Sequence, residues 1–200
     1  MASETARIEA FSDCVFSIAG TLLVLNLKPP AANAPFWQGL AAQWPGFAAF
    51  LLSFFFIGIM WINHYRLFQH IQRPDDVLLF TNLLVLLGAV WIPYPTSLIA
   101  QAVTGGNLRD AAILYNGSYF VMALLFNLQL RLVIRRGLVD REYAGVRGIA
   151  RSYVVGPAGY ALCLACTWWN VGASLALNGA LALFFLLAPG LGRRGARVSA

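Results

Sequence analysis

Residues 7–27 read RIEAFSDCVFSIAGTLLVLNL, an apolar stretch of helical length that carries Arg7, Glu9, Ser12 and Asp13 near its start. An ionisable side chain costs about 2.5–3.5 kcal/mol or more at the centre of a membrane helix, so such groups are expected to face protein or water and to be paired. If this stretch crosses a membrane, its few polar side chains are the best indication of what the protein does.

The composition of the whole chain indicates a membrane protein. Hydrophobic residues make up 60% of the 200 residues, charged residues 11%, and the mean hydropathy is +0.69. A soluble domain of this length could not bury so much apolar surface. Because one helical crossing takes about 20 apolar residues, we predict an all-α polytopic domain over residues 1–190 and a short basic cytoplasmic tail at 191–200. The six predicted transmembrane helices cover residues 8–27, 47–68, 76–101, 110–134, 149–168 and 171–190.

The positive charges indicate the orientation of these spans. With the N-terminus in the cytoplasm, the inner side holds 12 of the 14 lysines and arginines, while Lys28 and Arg109 fall on the outer side. This bias follows the positive-inside rule. We therefore predict that both termini are cytoplasmic and that the net charge of +6 reflects membrane topology and not a nucleic-acid partner. The inner set is Arg7, Arg66, Arg73, Arg131, Arg135, Arg136, Arg141, Arg147, Arg151, Arg193, Arg194 and Arg197.

Prolines and cysteines refine this outline. Pro93 and Pro95 lie in the third span, and proline removes a backbone donor and kinks a helix, so we predict a bend or break there. The outer connection 28–46 suits a loop or short helix at headgroup level. Cys163 and Cys166 fall in an apolar run without a nearby His or acid, which favours packing between helices over a metal or redox site.

One face of the first span is aliphatic. At about 100° per residue, Leu22, Leu25 and Thr21 lie within about 60° of Ile18. Cys14 extends this stripe towards the N-terminus, Ser17 lies on its margin, and Asp13 points away from it. Taken alone, an aliphatic stripe indicates packing more often than a pore.

The second span supplies complementary polar groups. Trp61 and His64 are three residues apart and are predicted to share a face, with His64 at a depth that matches Arg7 and Asp13. These groups are either a proton relay or ion ligand, or a structural network in which each charge is paired. We favour the structural role because Asp13 points away from the stripe. The isolated polar residues Asn82, Asn116, Ser118 and Asn127 are expected to make hydrogen bonds between helices.

Signatures of soluble enzymes are missing from the sequence. It contains no P-loop, GxGxxG, HExxH or GxSxG motif, and no TVGYG filter of the kind found in potassium channels. We therefore expect neither an enzyme nor a bound metal or cofactor.

The first span resembles the transmembrane protein 175 family of potassium channels in its bacterial, single-repeat form. The resemblance rests on R-x-x-x-F-S-D, which is Arg7, Phe11, Ser12 and Asp13 here, followed by VFSIAGTLLVL. The W-x-x-H of Trp61 and His64 and the IPYPTS of the third span are also similar, as are six spans in about 200 residues.

The resemblance implies a homotetramer in a bacterial inner membrane, with the first helix of each subunit lining a central pore that passes K⁺, the permeant ion, in preference to Na⁺. It assigns the hydrophobic constrictions to Ile18, Leu22 and Leu25 and the pore-side hydroxyls to Ser17 and Thr21. It also implies a structural polar network behind the pore. Its members are Arg7, Phe11, Ser12, Asp13, Trp61 and His64.

One departure and two rival functions remain. The family usually has glycine after the motif aspartate, and Cys14 at this position affects the expected width of the inner mouth. One rival is a proton-coupled secondary transporter that uses Asp13 and His64 as titrating groups, although the chain lacks the internal repeat that such transporters commonly show. The other is an accessory membrane protein without flux of its own.

Overall fold

Each predicted span coincides with one helix, or for the third span with two consecutive helices, in the computed structural model of the chain. The structure describes residues 5–30, 33, 35–71, 73–139 and 144–192. At 144–154 and 188–192 it describes the backbone only. The eight α-helices of this part of the chain are α1 (Ala6–Leu22), α2 (Phe36–Ala41), α3 (Trp44–Phe68), α4 (Asp76–Trp91), α5 (Pro93–Gly105), α6 (Leu108–Arg135), α7 (Ala144–Cys166) and α8 (Val171–Gly192). The predicted tail at 191–200 lies, from residue 193 onward, outside the described residues.

Hydropathy separates these helices into two groups. Four helical stretches are long and apolar enough to cross a membrane: Ala6–Asn26, Trp44–Phe68, Asp76–Gly105 and Leu108–Arg135. Two shorter apolar helical stretches, Val155–Cys166 and Val171–Leu187, lie at the predicted fifth and sixth spans. The all-α polytopic prediction is confirmed.

The third span is broken where the prolines predict it. Helix α4 ends at Trp91 and α5 begins at Pro93, with Ile92 between them. Proline lacks the N–H that would continue the helical hydrogen-bond ladder, so the chain re-starts its helix at this point. The outer connection contains the short helix α2, which agrees with the prediction of a loop or short helix.

The first span differs from the prediction at its outer end. The α-helix stops at Leu22, and residues Leu23–Asn26 continue as a 3₁₀ helix before Leu27 turns extended. Asn26 Nδ2 donates a hydrogen bond of 3.1 Å to the carbonyl oxygen of Pro93, so the end of this span is attached to the break between α4 and α5.

Polar side chains connect the helices as expected for groups at membrane depth. Asn116 Nδ2 on α6 donates to Thr167 Oγ1 at 3.0 Å and to Ser174 Oγ at 2.7 Å, and Asn178 donates to Asn116 Oδ1. Trp91 Nε1 donates to Ser118 Oγ at 2.9 Å. The predicted hydrogen bonds between helices are therefore present for Asn116 and Ser118. Asn127 donates within its own helix, to the carbonyl of Ala123.

The C-terminal ends of α3 and α6 lie at the same end of the helix bundle. An isolated antiparallel bridge joins Ile71 to Val139, just beyond the two helices. Next to it, Asp75 is the N-cap of α4: its Oδ1 accepts a hydrogen bond of 2.8 Å from the backbone N–H of Leu78, and its Oδ2 accepts from Arg136 Nε. One carboxylate thus begins α4 and attaches it to the end of α6.

This geometry makes the contribution of Asp75 to stability dependent on pH. The N–H of Leu78, followed by the side chain of Arg136, lowers the pKa of Asp75 below its ordinary value of 3.8. A carboxyl group with a lowered folded-state pKa stabilises the fold above its unfolded pKa, and this contribution is lost as the pH falls through the folded pKa. We expect Asp75→Ala to lower the thermal unfolding midpoint at pH 7 and to differ less from the wild type below pH 3.8, as measured by circular dichroism in detergent.

Asp76→Ala is the matched control for this prediction. Asp76 is the next carboxylate along the chain, and its side chain makes no hydrogen bond with a described residue. An equal loss of stability in the two variants, or a difference between Asp75→Ala and wild type that does not change with pH, would contradict the capping role.

Candidate functional site

Helix α1 is buried along one face only. Ser12, Phe16, Ala19 and Leu23 are each no more than 2% exposed and pack towards α3 and α4. Their spacing of four, three and four residues is the repeat of one helix face. The sequence of α1 therefore determines which side is covered by the rest of the chain.

The aliphatic stripe lies on the uncovered side of α1. Ile18 is 56% exposed, Leu22 41% and Leu25 73%. Leu25 belongs to the 3₁₀ helix, in which side chains three residues apart lie directly above one another, so Leu25 lies over Leu22. Cys14 is also exposed, which agrees with its predicted position on the extension of the stripe.

The two hydroxyls beside the stripe have different hydrogen bonds. Thr21 Oγ1 donates to the carbonyl of Ile18 at 3.0 Å, which uses its proton. Ser17 is exposed, and its side chain makes no hydrogen bond with a described residue. Both side chains are exposed and lie at the edge of a surface groove between α1 and α3, where their oxygens are accessible to water.

Asp13 is held by α3. Trp61 Nε1 donates a hydrogen bond of 2.8 Å to Asp13 Oδ1, and the indole of Trp61 stacks on Tyr65 with ring centroids 6.0 Å apart. The two residues line one end of a surface groove between α1 and α3 that also includes Gly20 and Gly58. The prediction that Asp13 points away from the stripe agrees with this contact.

His64 belongs to a separate, buried chain of hydrogen bonds. His64 is 1% exposed, and its Nε2 lies 2.8 Å from Asn82 Oδ1, an acceptor, so this nitrogen carries the proton. Asn82 Nδ2 donates to Ser12 Oγ at 3.0 Å, and Ser12 Oγ donates to the carbonyl of Ile8 at 2.8 Å. Three helices, α1, α3 and α4, are thereby joined by these hydrogen bonds.

The single chain therefore separates residues that the sequence places in one network. Trp61 and His64 are one turn apart, yet Trp61 is 41% exposed whereas His64 is enclosed. Arg7 is exposed and makes no hydrogen bond or ion pair with a described residue, and Phe11 is 55% exposed. The predicted network thus falls into three parts. Asp13 and Trp61 form a pair at the groove, His64 and Ser12 belong to the buried set of hydrogen bonds, and Arg7 and Phe11 are exposed. The structural role of the whole set stays a prediction.

Asn82 is the site residue whose place the sequence does not reveal. It is recognisable as an amide in the apolar run LLFTNLLVLL, which predicts a partner on another helix without identifying it. Helix packing supplies the partners, because α1 contacts both α3 and α4. In the described part of the chain, no group of three or more His, Cys, Asp or Glu side chains is placed to hold a metal ion.

Comparison with known proteins relates this site to a family. Residues 7–93 match the model of the family described as the endosomal/lysosomal potassium channel TMEM175. A potassium channel of Streptomyces collinus is 38% identical over 189 residues, 92% of either protein, and a potassium channel of Chamaesiphon minutus is 37% identical over 195 residues, 92% of this chain and 95% of the relative.

A solved structure has the same fold. The crystal structure of a lysosomal potassium-selective channel TMEM175 homolog from Chamaesiphon minutus superposes with a TM-score of 0.84 at 35% identity, covering 92% of this chain and 97% of that one. The similarity covers nearly the full length of both sequences. The chain belongs to the TMEM175 family.

Proposed function

We propose that this protein is a potassium-selective cation channel in which four identical subunits surround a pore lined by α1. The subunits lie in the plasma membrane of a bacterium with both termini in the cytoplasm. K⁺ moves down its gradient without a cofactor, and the other partners are further copies of the chain and the lipid bilayer. The potassium channels named among its relatives support this function.

The observation that carries the proposal is the uncovered stripe of α1. Helices α3 and α4 bury the opposite face, while Ile18, Leu22 and Leu25 remain 41–73% exposed in the described part of the subunit. In a symmetric ring with this stripe towards the axis, each of the three positions forms a ring of aliphatic side chains. The rings span about 10 Å along the axis at about 1.5 Å per residue.

The hydroxyls beside the stripe favour a pore over a lipid-facing surface. In hydrocarbon an unpaired hydroxyl is costly because no water is present to bond with it, and Ser17 has no partner within the described chain. Helix α4 provides the contrast. Beyond Asp76 its exposed positions are all apolar, as suits contact with lipid tails.

Aliphatic rings control ion passage through the energy of hydration. A narrow apolar constriction tends to dewet, so an ion passes it partly dehydrated or in a thin column of water. The oxygens of Ser17 and Thr21, next to Ile18, would offset part of the dehydration cost. No ring of charged side chains accompanies the stripe, so discrimination between K⁺ and Na⁺ would depend on the width of the rings.

The hydrogen bonds of Asp13 and His64 do not favour the proton-coupled transporter. His64 is enclosed and bonded to Asn82, whereas Asp13 bonds to Trp61 at the groove, so the two titratable groups belong to separate sets of contacts. The two functions differ in one flux measurement. In proteoliposomes, K⁺ flux through a channel continues after an ionophore collapses the proton gradient, and flux through the transporter stops.

One prediction of the channel proposal concerns the aliphatic rings. Replacing Ile18 or Leu25 with Asn introduces four polar side chains at the constriction, which should raise conductance and weaken the preference for K⁺ over Na⁺ because the pore wets more easily. Single-channel recording in planar bilayers with K⁺ and Na⁺ measures both effects. Leu83→Asn on α4 is the matched control, since Leu83 is 54% exposed and Ile18 56%. If Ile18→Asn and Leu25→Asn both leave conductance and ion ratios at wild-type values, the stripe does not line the pore.

The second prediction concerns Asp13, whose role we infer to be positional. Asp13→Asn keeps an oxygen acceptor for Trp61 Nε1, whereas Asp13→Ala removes it. We expect Asp13→Asn to assemble and conduct like the wild type and Asp13→Ala to yield less tetramer, as measured by native mass spectrometry and liposome flux. Loss of selectivity in a fully assembled Asp13→Asn tetramer would instead identify the carboxylate as an ion ligand.

The third prediction uses the native Cys14, which lies about one turn from Ile18 on the cytoplasmic side of the rings. A small charged thiol reagent added to the cytoplasmic face should modify Cys14 and block K⁺ current, because four modified side chains would crowd the axis. Cys163 is fully buried and should stay unmodified on the same timescale. Cys14→Ser should conduct and resist the reagent. Block that persists in Cys14→Ser, or protection of Cys14 in the wild type, would place α1 away from the pore.

A further inference from the structure

A cavity lies between α3, α6, α7 and α8, on the opposite side of α3 from the groove that Asp13 and Trp61 line. It has a volume of about 70 Å³ and is partly open to the surface of the subunit. We call it the lateral cavity. Its wall is formed by Phe56, Ile59, Met60, Asn63, Tyr119, Met122, Ala123, Phe126, Asn127, Gly156, Pro157, Tyr160 and Phe185.

The polar groups of the lateral cavity are unevenly distributed. Asn63 and Asn127 lie on α3 and α6, five and eight residues before the ends of those helices at Phe68 and Arg135. The bridge between Ile71 and Val139 places these two helix ends side by side. At about 1.5 Å per residue, both amides therefore lie about 8–12 Å from the same end of the bundle. The rest of the wall is aromatic, aliphatic or thioether.

Three polar groups of the wall have no hydrogen-bond partner in the described chain. Asn63 is half-buried and its amide makes no hydrogen bond with a described residue, and the same holds for the hydroxyls of Tyr119 and Tyr160. At the depth of the hydrocarbon, an unpaired amide or hydroxyl costs free energy that a hydrogen-bonding occupant removes. None of the residues that line the cavity is charged, so the occupant is expected to be neutral.

Size and flexibility indicate a slender occupant. A volume of about 70 Å³ is about half the roughly 150 Å³ that holds a benzene ring. Met60 and Met122 line the middle of the cavity, and the flexible thioether side chain adapts to irregular shapes, so the cavity can widen around a chain. Water alone suits the site poorly, since a buried water needs two to four polar partners and most of this wall is apolar.

We propose that the lateral cavity binds an uncharged single-chain amphiphile from the bilayer, with its hydroxyl headgroup at Asn63 and the adjoining part of its alkyl chain between Met60, Met122 and the surrounding aromatic rings, while the rest of the chain extends through the open side of the cavity into the bilayer. This site is separate from α1, and the proposal does not depend on ion conduction. It gives the subunit a surface through which membrane composition acts on α3, the helix that holds Asp13 through Trp61.

Photolabelling of the wild-type protein in liposomes tests the chemistry of the site. The probe is an octanol that carries a diazirine, with adducts located by peptide mass spectrometry. We expect adducts on the α3, α6 or α7 segments of the cavity, and we expect unlabelled octanol to compete while octane does not. Adducts spread over all apolar helices, or equal competition by octane, would overturn the proposal because neither requires a hydroxyl site.

A pair of variants tests the role of the amide. Asn63→Leu keeps the approximate size and removes the hydrogen bond, so labelling of the cavity should fall about three- to ten-fold, the effect of one hydrogen bond on affinity. Gln101→Leu replaces an exposed amide on α5 that does not line the cavity. This variant should label like the wild type. Unchanged labelling in folded Asn63→Leu would contradict the assignment. If that variant does not fold, the competition between octanol and octane in the wild type still decides.

Discussion

The hydrogen bonds that run from His64 through Asn82 to Ser12 determine the rotation of α1 about its own axis. Ser12 is fully buried, and its oxygen both accepts from Asn82 and donates to the backbone of α1 itself. A rotation that exposed Ser12 to lipid would remove the acceptor of the Asn82 amide N–H in a medium without water, while the bond between His64 and Asn82 would stay in place. The same rotation would turn Ile18 and Leu22 inward against α3 and α4. The uncovered face of α1 is therefore determined by the hydrogen bonds that the opposite face makes.

The sequence predicts the spans and the stripe because both follow from periodicity. Apolar runs of membrane length predict each helix, Pro93 and Pro95 predict the break between α4 and α5, and the repeat of about 3.6 residues groups Ile18, Leu22 and Leu25. Periodicity does not predict which side chains on different helices bond to each other, since those pairs depend on which helices pack together. The spacing of Trp61 and His64 predicts a shared face, but the packing of α1 along α3 exposes one and encloses the other. Periodicity also gives no signal for the 3₁₀ turn at Leu23–Asn26.

Polar groups within the bundle form local, nearly complete sets. At one end of α6, Asn116 bonds to Thr167, Ser174 and Asn178, and towards α3 the hydroxyl of Ser53 bonds to those of Tyr115 and Thr96. A bilayer leaves a buried polar group no alternative partner, so such sets fix the relative positions of the helices that contribute to them. The amides of Gln129, which is fully buried on α6, and of Asn63, which is half-buried on α3, make no hydrogen bond with a described residue, so these sets are not complete everywhere in the bundle.

The 3₁₀ turn that follows the C-terminal end of α1 determines the direction of the Leu25 side chain. A 3₁₀ helix advances about 120° per residue and an α-helix about 100°. Rewinding Leu23–Asn26 into α-helix would therefore swing Leu25 by about 60° away from Leu22, while the body of α1 stays in place. The hydrogen bond from Asn26 to the carbonyl of Pro93 opposes this rewinding. The direction of the Leu25 side chain is thus linked, through this hydrogen bond, to the break between α4 and α5.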